Sequence, residues 1–417
     1  LALLFAETER QTGSGLGMLV APMLLSSCVA ISYWAVAGLE TLLYTFLLTA
    51  SVILASRVVD GKVSLIFMWL LLPLLVLCRT EGAAPAGLIA AWTTWKGLPT
   101  KGATKDRFFT WFKALLPIIV VIVIFHGFRI AWFGSFQSAP ALAKYKGSIE
   151  PLREGIRYFA TFFIEYFPPI LVLFAGYAVL QPTSLTWPML IVSAFQTIIV
   201  FSLGGDWMPM YRMFIPILPL LFLEVGRGCR LVCRQLPIMK PACGLAILLT
   251  ATKLAFFPVV QGINIKQYKR LDMLFIEVSK MLKKNYPPST RLVLGDIGRV
   301  GYETGFEIYD MKGLVSPWVS STYKTVREGS HLRVSIDCET ILSKRPELVL
   351  VAINPNSKDG MLDDGMHRGF WSCDTDMLKS KTLQQGWRII AKIGENNPLG
   401  CIYLLFERKD LRREKID

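Results

Sequence analysis

The chain has 417 residues, 53% of them hydrophobic, and carries a formal net charge of +14. A mean hydropathy of +0.45 excludes an ordinary soluble protein. The basic excess sits in short loops between apolar runs, with no zinc-finger spacing and no aromatic-interleaved basic patch, so no nucleic-acid partner is expected. Up to Val260 apolar runs alternate with short polar loops, and beyond Gln261 the composition is that of a soluble domain. The expected fold is therefore a multi-pass α-helical membrane bundle over residues 1–260, followed by an α/β domain over 261–417 large enough for its own core.

The opening "LALLFAETER" reads as the tail of an apolar segment and carries no signal-peptide pattern. The expectation is a fragment whose first helices lie upstream. A membrane-crossing helix needs about 20 mostly apolar residues. Nine candidates follow in order: Leu16–Trp34, Leu39–Ser56, Val63–Cys78, Ala83–Trp95, Ala114–Phe133, Tyr158–Leu180, Pro188–Leu203, Met213–Gly226 and Pro241–Val260. Three loops are basic: "RVVDGK", "KGLPTKGATKDRFFTWFK" and "RGCRLVCRQLPIMK", the last holding Arg227, Arg230, Arg234 and Lys240. With nine crossings these loops share one side, which the positive-inside rule makes cytoplasmic. The loops around Glu40, around Arg79 and Glu81, from Gly134 to Gly155, and "GGDWMPMYR" then face the other side, with the C-terminal domain.

Charged residues at membrane level are costly and tend to face a cavity or a partner. Arg79 and Glu81 in "CRTEGA" read either as a polar turn or as a rim where the guanidinium fork binds phosphate. Glu40 is either a favourable charge at a helix start or a ligand for sugar or metal. Arg129 either snorkels to the interface or joins Lys144 as an anion partner. His126 is a structural histidine, and three histidines in all exclude a histidine-rich metal site. Gly204 and Gly205 permit a tight turn, after which Asp206 and Arg212 can share one pocket, with Trp207 and Tyr211 as aromatic contacts. Cys229 and Cys233 form a CxxxC without further ligands and read as small apolar residues.

Beyond residue 260, "IEVSKMLKKNY" has helical spacing, and "RLVLGDIG", "ELVLVAIN", "GWRIIAKIG" and "CIYLLFERK" read as strands. The glycines of "GDIGRVGYETGFEIYDMKGL" fit no dinucleotide fingerprint. Cys338, Cys373 and Cys401 allow at most one disulfide within this part.

In order, "GLET" (Gly38–Thr41), "RTEG" (Arg79–Gly82), "RIAWFGSFQSAPALAK" (Arg129–Lys144) and "GGDWMPMYRMFIPILPL" resemble the landmarks of GT-C-type integral membrane glycosyltransferases. The likeness is to the branch containing the mycobacterial terminal arabinofuranosyltransferase. "GDIGRVGYETGFEIYDMKGLVSP" is similar to the start of that branch's extracytoplasmic C-terminal domain. The resemblance implies transfer of a sugar from a polyprenyl-phosphate donor to a cell-envelope glycan or other acceptor, outside a bacterial inner membrane. It departs at Thr80, where the branch usually has proline, and at Ser138–Pro140. It also implies a catalytic aspartate in a first external loop, upstream of residue 1. Within this chain, Asp206, Glu81 and Glu40 are the expected carboxylates of the site. Arg79, Arg129, Lys144 and Arg212 would bind the donor phosphate, and Trp207, Tyr211, Asp296 and Asp310 the acceptor or sugar. A divalent cation, Mg or Mn, is compatible with these carboxylates. Two alternatives stand beside this reading: a transporter or flippase of lipid-linked sugars, and a non-catalytic membrane assembly protein.

Overall fold

A computed structural model describes the chain apart from residues 14–15, 98–103, 135, 137–149, 207, 209, 261–264, 321–323, 329–330, 354–371, 395–401 and 412–417. It divides into two compact units, the first built from Leu1–Gly134 and Ile149–Gly262, the second holding Ile263–Asp417.

The first unit is helical. Its elements are α1 (Ala2–Thr12), α2 (Leu16–Ser27), α3 (Val29–Val36), α4 (Thr41–Val59), α5 (Ile66–Cys78), α6 (Ala83–Gly97), α7 (Thr104–Phe133), α8 (Glu150–Tyr166), α9 (Pro169–Val179), α10 (Thr186–Leu203), α11 (Leu218–Gln235) and α12 (Lys240–Val260). Short 3-10 turns at Thr80–Gly82, Ile215–Ile217 and Pro237–Met239 lead into α6, α11 and α12. Among the described residues, four segments are long and apolar enough to cross a membrane: Thr41–Val59, Trp111–Trp132, Thr186–Leu203 and Pro237–Phe256. The number is six if each of two bent pairs counts as one.

This corrects the expectation of nine crossings. The first expected run is two helices meeting at 52°, because Cys28 between them is extended. The sixth is broken by 100° at Pro168 and Pro169: two successive prolines lack the N–H groups that would continue the α8 ladder. At 13 residues, α5 is about 20 Å long, short of a bilayer core. The expected basic loop after Gly226 is helix as far as Gln235.

Close approaches hold the helices together. A Cβ on Gly228 of α11 would lie 1.8 Å from the Phe174 carbonyl oxygen of α9, so only glycine permits this contact. One end of the unit is closed by buried ion pairs. Glu7, with no exposed side-chain surface, receives Arg10 at 2.6 Å and Arg57 at 3.1 Å, and Gln11 at 2.9 Å. Arg10 also reaches Asp60 at 2.9 Å. On α11 the buried Arg227 donates to Glu224, to the Thr186 hydroxyl and to the carbonyls of Ala178 and Gln181. The last two acceptors lie where α9 ends. Ser56 on α4 and Ser184 before α10 are hydrogen-bonded at 2.7 Å. The late part of α4 therefore shares an end with the start of α10, and the beginning of α4 shares the opposite end with the finish of α10.

The second unit begins with α13 (Ile265–Asn285) and is built on a five-stranded sheet in the order β2–β1–β5–β7–β6. Its strands are β1 (Arg291–Leu294), β2 (Glu307–Asp310), β5 (Leu348–Ile353), β6 (Trp387–Ile393) and β7 (Ile402–Arg408). The neighbours β2, β1 and β5 run parallel, while β7 is antiparallel to β5 and β6. A separate hairpin joins β3 (Lys324–Glu328) and β4 (His331–Ser335). Every residue of β5 is buried, as the unbroken apolar run "LVLVAI" requires of a central strand. Alternate residues feed two cores: Val349, Val351 and Phe406 on one face, Leu348, Leu350 and Leu405 on the other. The four expected strands are all present.

Candidate functional site

The polar residues singled out in the helical unit gather at the end where α4 starts and α10 finishes. Glu40 immediately precedes α4, and Arg79 immediately follows α5, its antiparallel neighbour. Arg79 leaves the helix in an extended conformation, and Thr80–Gly82 turns the chain into α6. Gly82 makes the turn possible, because a Cβ there would meet the Leu75 carbonyl oxygen at 2.5 Å. The Arg79 guanidinium then bridges two carboxylates, Glu81 at 2.5 Å and Glu40 at 3.5 Å, and lies over the Tyr44 ring at 5.2 Å. Arg79 is 12% exposed, whereas Glu40 and Glu81 are 38% and 36% exposed. One cation and two anions leave this group net negative and its carboxylates within reach of solvent or solute.

The second group is the turn after α10. Gly204, Gly205, Met210 and Tyr211 all have positive φ, at 76°, 81°, 60° and 49°. For the two glycines this is inexpensive, but for Met210 and Tyr211 it stores strain of about 1–3 kcal/mol each, a feature that collects at functional sites. The aromatic rings of α8 hold the turn, with Tyr158, Phe162 and Tyr166 all within 5.8 Å of the Tyr211 ring. The turn carries Asp206 onto Arg212 at 2.7 Å, with the carboxylate side chain wholly buried. Arg212 also lies 5.8 Å from the Trp34 ring. Trp34 belongs to α3, whose chain continues through Gly38 to Glu40, so the two ion-pair groups are joined by one short segment. The 3-10 turn Ile215–Ile217, just beyond Arg212, packs on α4.

Beside the Asp206 turn lies an open cleft of about 370 Å³, lined among others by Glu154, Arg157, Thr161, Met208 and Tyr211. At the same end, the Trp34 indole N–H and the Thr41 hydroxyl are buried with no hydrogen-bond partner among the described residues. Buried donors of this kind are rare in a finished core and call for an explanation such as a bound group.

The remaining expected site residues are in neither of these ion-pair groups as far as they are described. Arg129 lies over Phe125 of its own helix α7 at 5.8 Å and is in neither ion pair. Lys144 and Trp207 lie outside the described residues. Asp296 and Asp310 belong to the α/β unit. Asp296, just past β1, is bonded to Lys312 at 3.0 Å and to the Tyr403 hydroxyl at 2.9 Å. Asp310 is fully buried and accepts backbone N–H groups from Lys312, Leu314 and Val315. Burial raises its carboxyl above the ordinary range while those donors pull it down. Its geometry is that of a loop organiser. Cys338 and Cys373 are buried free thiols, and Cys401 lies outside the described residues.

Sequence reasoning missed Trp34, Tyr44 and Arg157. The first two read as ordinary aromatics in apolar runs, and only contact reveals that each faces a guanidinium. Arg157 sits on α8, whose strong amphipathic alternation was the available signal. Among the described residues, the group of three side chains close enough together to hold a metal ion is Cys229, Cys233 and Cys243.

Residues 262–410 match the model of a family described as a domain of unknown function (DUF8728). The matched stretch is the α/β unit and leaves out both ion-pair groups of the helical unit. No curated protein and no solved structure matches the chain.

Proposed function

We propose that the protein is a membrane glycosyltransferase that moves a sugar from a polyprenyl-phosphate donor to a glycan or other acceptor at the extracytoplasmic face of a bacterial inner membrane, with residues 1–260 as a multi-pass bundle. The observation that carries the reading is the gathering of Glu40, Arg79, Glu81, Asp206 and Arg212 at one end of the helical unit, beside a strained turn and an open cleft. In such a transfer the acceptor oxygen forms a bond to the anomeric carbon as the bond from that carbon to the phosphate oxygen breaks. The acceptor proton passes to a carboxylate, and the phosphate departs with the electron pair. Arg79 and Arg212 hold the departing phosphate, since a planar guanidinium binds two of its oxygens. Asp206 is sealed against Arg212 and orients it. The accessible Glu40 and Glu81 are the carboxylates here that can meet a sugar hydroxyl.

The test supplies membranes containing the full-length protein with a panel of labelled polyprenyl-phosphate pentoses and hexoses. Arg212→Met and Asp206→Asn should each lower transfer by about 10²–10³-fold, the loss typical of one oriented donor group, with the protein still folded. Unchanged transfer in both variants would overturn the reading. A second reading, a flippase of the lipid-linked sugar, draws on the two bent helix pairs, because broken helices line transport sites. Donor crossing proteoliposomes without sugar transfer would favour it.

A further inference from the structure

The helical unit holds a second cluster that the sugar-transfer reading does not use. Cys229 and Cys233 stand four residues apart on α11 and so share one face of the helix. The short turn Pro237–Met239 folds the chain back, and Cys243, in the first turn of α12, meets them. The three sulfur atoms lie within 4.8 Å of one another. All three residues are buried, at 0%, 7% and 2% exposure, and all three are free thiols.

The arrangement matches the donor set of a soft metal ion. Three sulfurs around a central ion at about 2.3 Å are roughly 4 Å apart, within the span observed. Structural zinc takes four ligands, and among the described residues the group contains three cysteines and neither histidine nor carboxylate. Calcium and magnesium require oxygen. A thiolate-only set of three selects a monovalent soft ion. We propose that Cys229, Cys233 and Cys243 form a three-coordinate copper(I) site where α11 meets α12. Binding of one copper(I) by three thiolates releases three thiol protons and transfers no electron, so the apparent affinity should rise with pH.

The test uses the full chain in lipid nanodiscs, reduced under anaerobic conditions, with copper(I) supplied as its bicinchoninate complex. The chain should withdraw one copper(I) equivalent, develop an ultraviolet thiolate-to-copper band, and show three sulfur neighbours by X-ray absorption. Cys243→Ser should weaken binding by at least about 10–100-fold, the loss caused even by a group that merely supports a ligand. Cys373→Ser, in the α/β unit, should leave binding unchanged, and thermal unfolding of both variants reports whether each is folded. The proposal fails if no copper is withdrawn, if a folded Cys243→Ser binds as tightly as the parent, or if zinc(II) displaces copper(I). It also fails if the isolated protein carries a disulfide between two of the three cysteines. None of these outcomes depends on sugar transfer.

Discussion

Arginine–carboxylate pairs occur at both ends of the helical unit, and the two sets are built differently. At the Glu224–Arg227 end each charge is saturated. Arg227 has a carboxylate, a hydroxyl and two carbonyls as acceptors, and Glu7 is enclosed by three donors. At the Arg79–Arg212 end, one guanidinium is divided between two carboxylates that remain more than a third exposed. The neighbouring backbone is held at positive φ, and buried donors including the Trp34 indole and the Thr41 hydroxyl stay unsatisfied among the described residues. The same chemical pair thus acts as a latch where every acceptor is consumed, and as a poised group where some capacity is left over. Buried pairs contribute little net stability relative to an apolar core, but breaking one is costly because a lone charge remains.

That contrast can be broken most directly at Arg227. Arg227→Met should destabilise the helical unit by about 3–5 kcal/mol, leaving Glu224 buried alone, and Glu224→Leu added to it should restore much of the loss. Arg79→Met, at the other end, should cost about 1 kcal/mol or less, because its partners can turn to water, while lowering the proposed sugar transfer as Arg212→Met is expected to do. Thermal unfolding in detergent distinguishes these; equal losses at both ends would erase the distinction. Next in size, Gly228→Ala should cost about 3 kcal/mol by forcing α9 and α11 apart. Gly176→Ala on α9, whose added Cβ meets nothing within 4 Å, should be tolerated.

The smallest expected effect lies in the α/β unit and sharpens what a half-buried pair does. Burial alone would raise the Glu347 carboxyl, but Arg291, through its guanidinium and its backbone N–H at 2.8 Å, outweighs this and holds it below the ordinary glutamate range. A depressed folded value means that the pair stabilises the fold above about pH 4.3 and that this contribution is lost as pH falls through the lowered value. In the full chain, the protection factors of the β1 and β5 amides, corrected for the intrinsic exchange rate at each pH, should therefore fall below that pH. Glu347→Gln should remove about 1 kcal/mol at neutral pH and flatten that part of the acid response. An unaltered acid profile in the variant would show that Glu347 is not the group responsible.

Much of this was legible in the chain itself. Apolar runs place nearly every helix of the first unit, because burial of an apolar face is a local property of the pattern. "ELVLVAIN" gives away a central strand for the same reason. The chain also marks Glu40, Arg79, Glu81, Asp206 and Arg212, since a charge inside an apolar stretch is conspicuous. It misleads at the Pro168–Pro169 break, read as one helix, and at Arg227, read as a loop charge. In both cases hydropathy averages over a detail that backbone geometry and partners decide.

What the sequence by itself determined, then, is which segments are apolar, where prolines and glycines interrupt them, and which charges those segments carry. Tertiary structure alone decided which side chains meet across the fold: Arg227 with the end of α9, Arg79 with Glu40, and Cys243 with the cysteine pair on α11. Local pattern follows from neighbours a few positions apart, whereas these meetings join residues up to 49 positions apart along the chain. Only packed helices bring such residues within bonding distance.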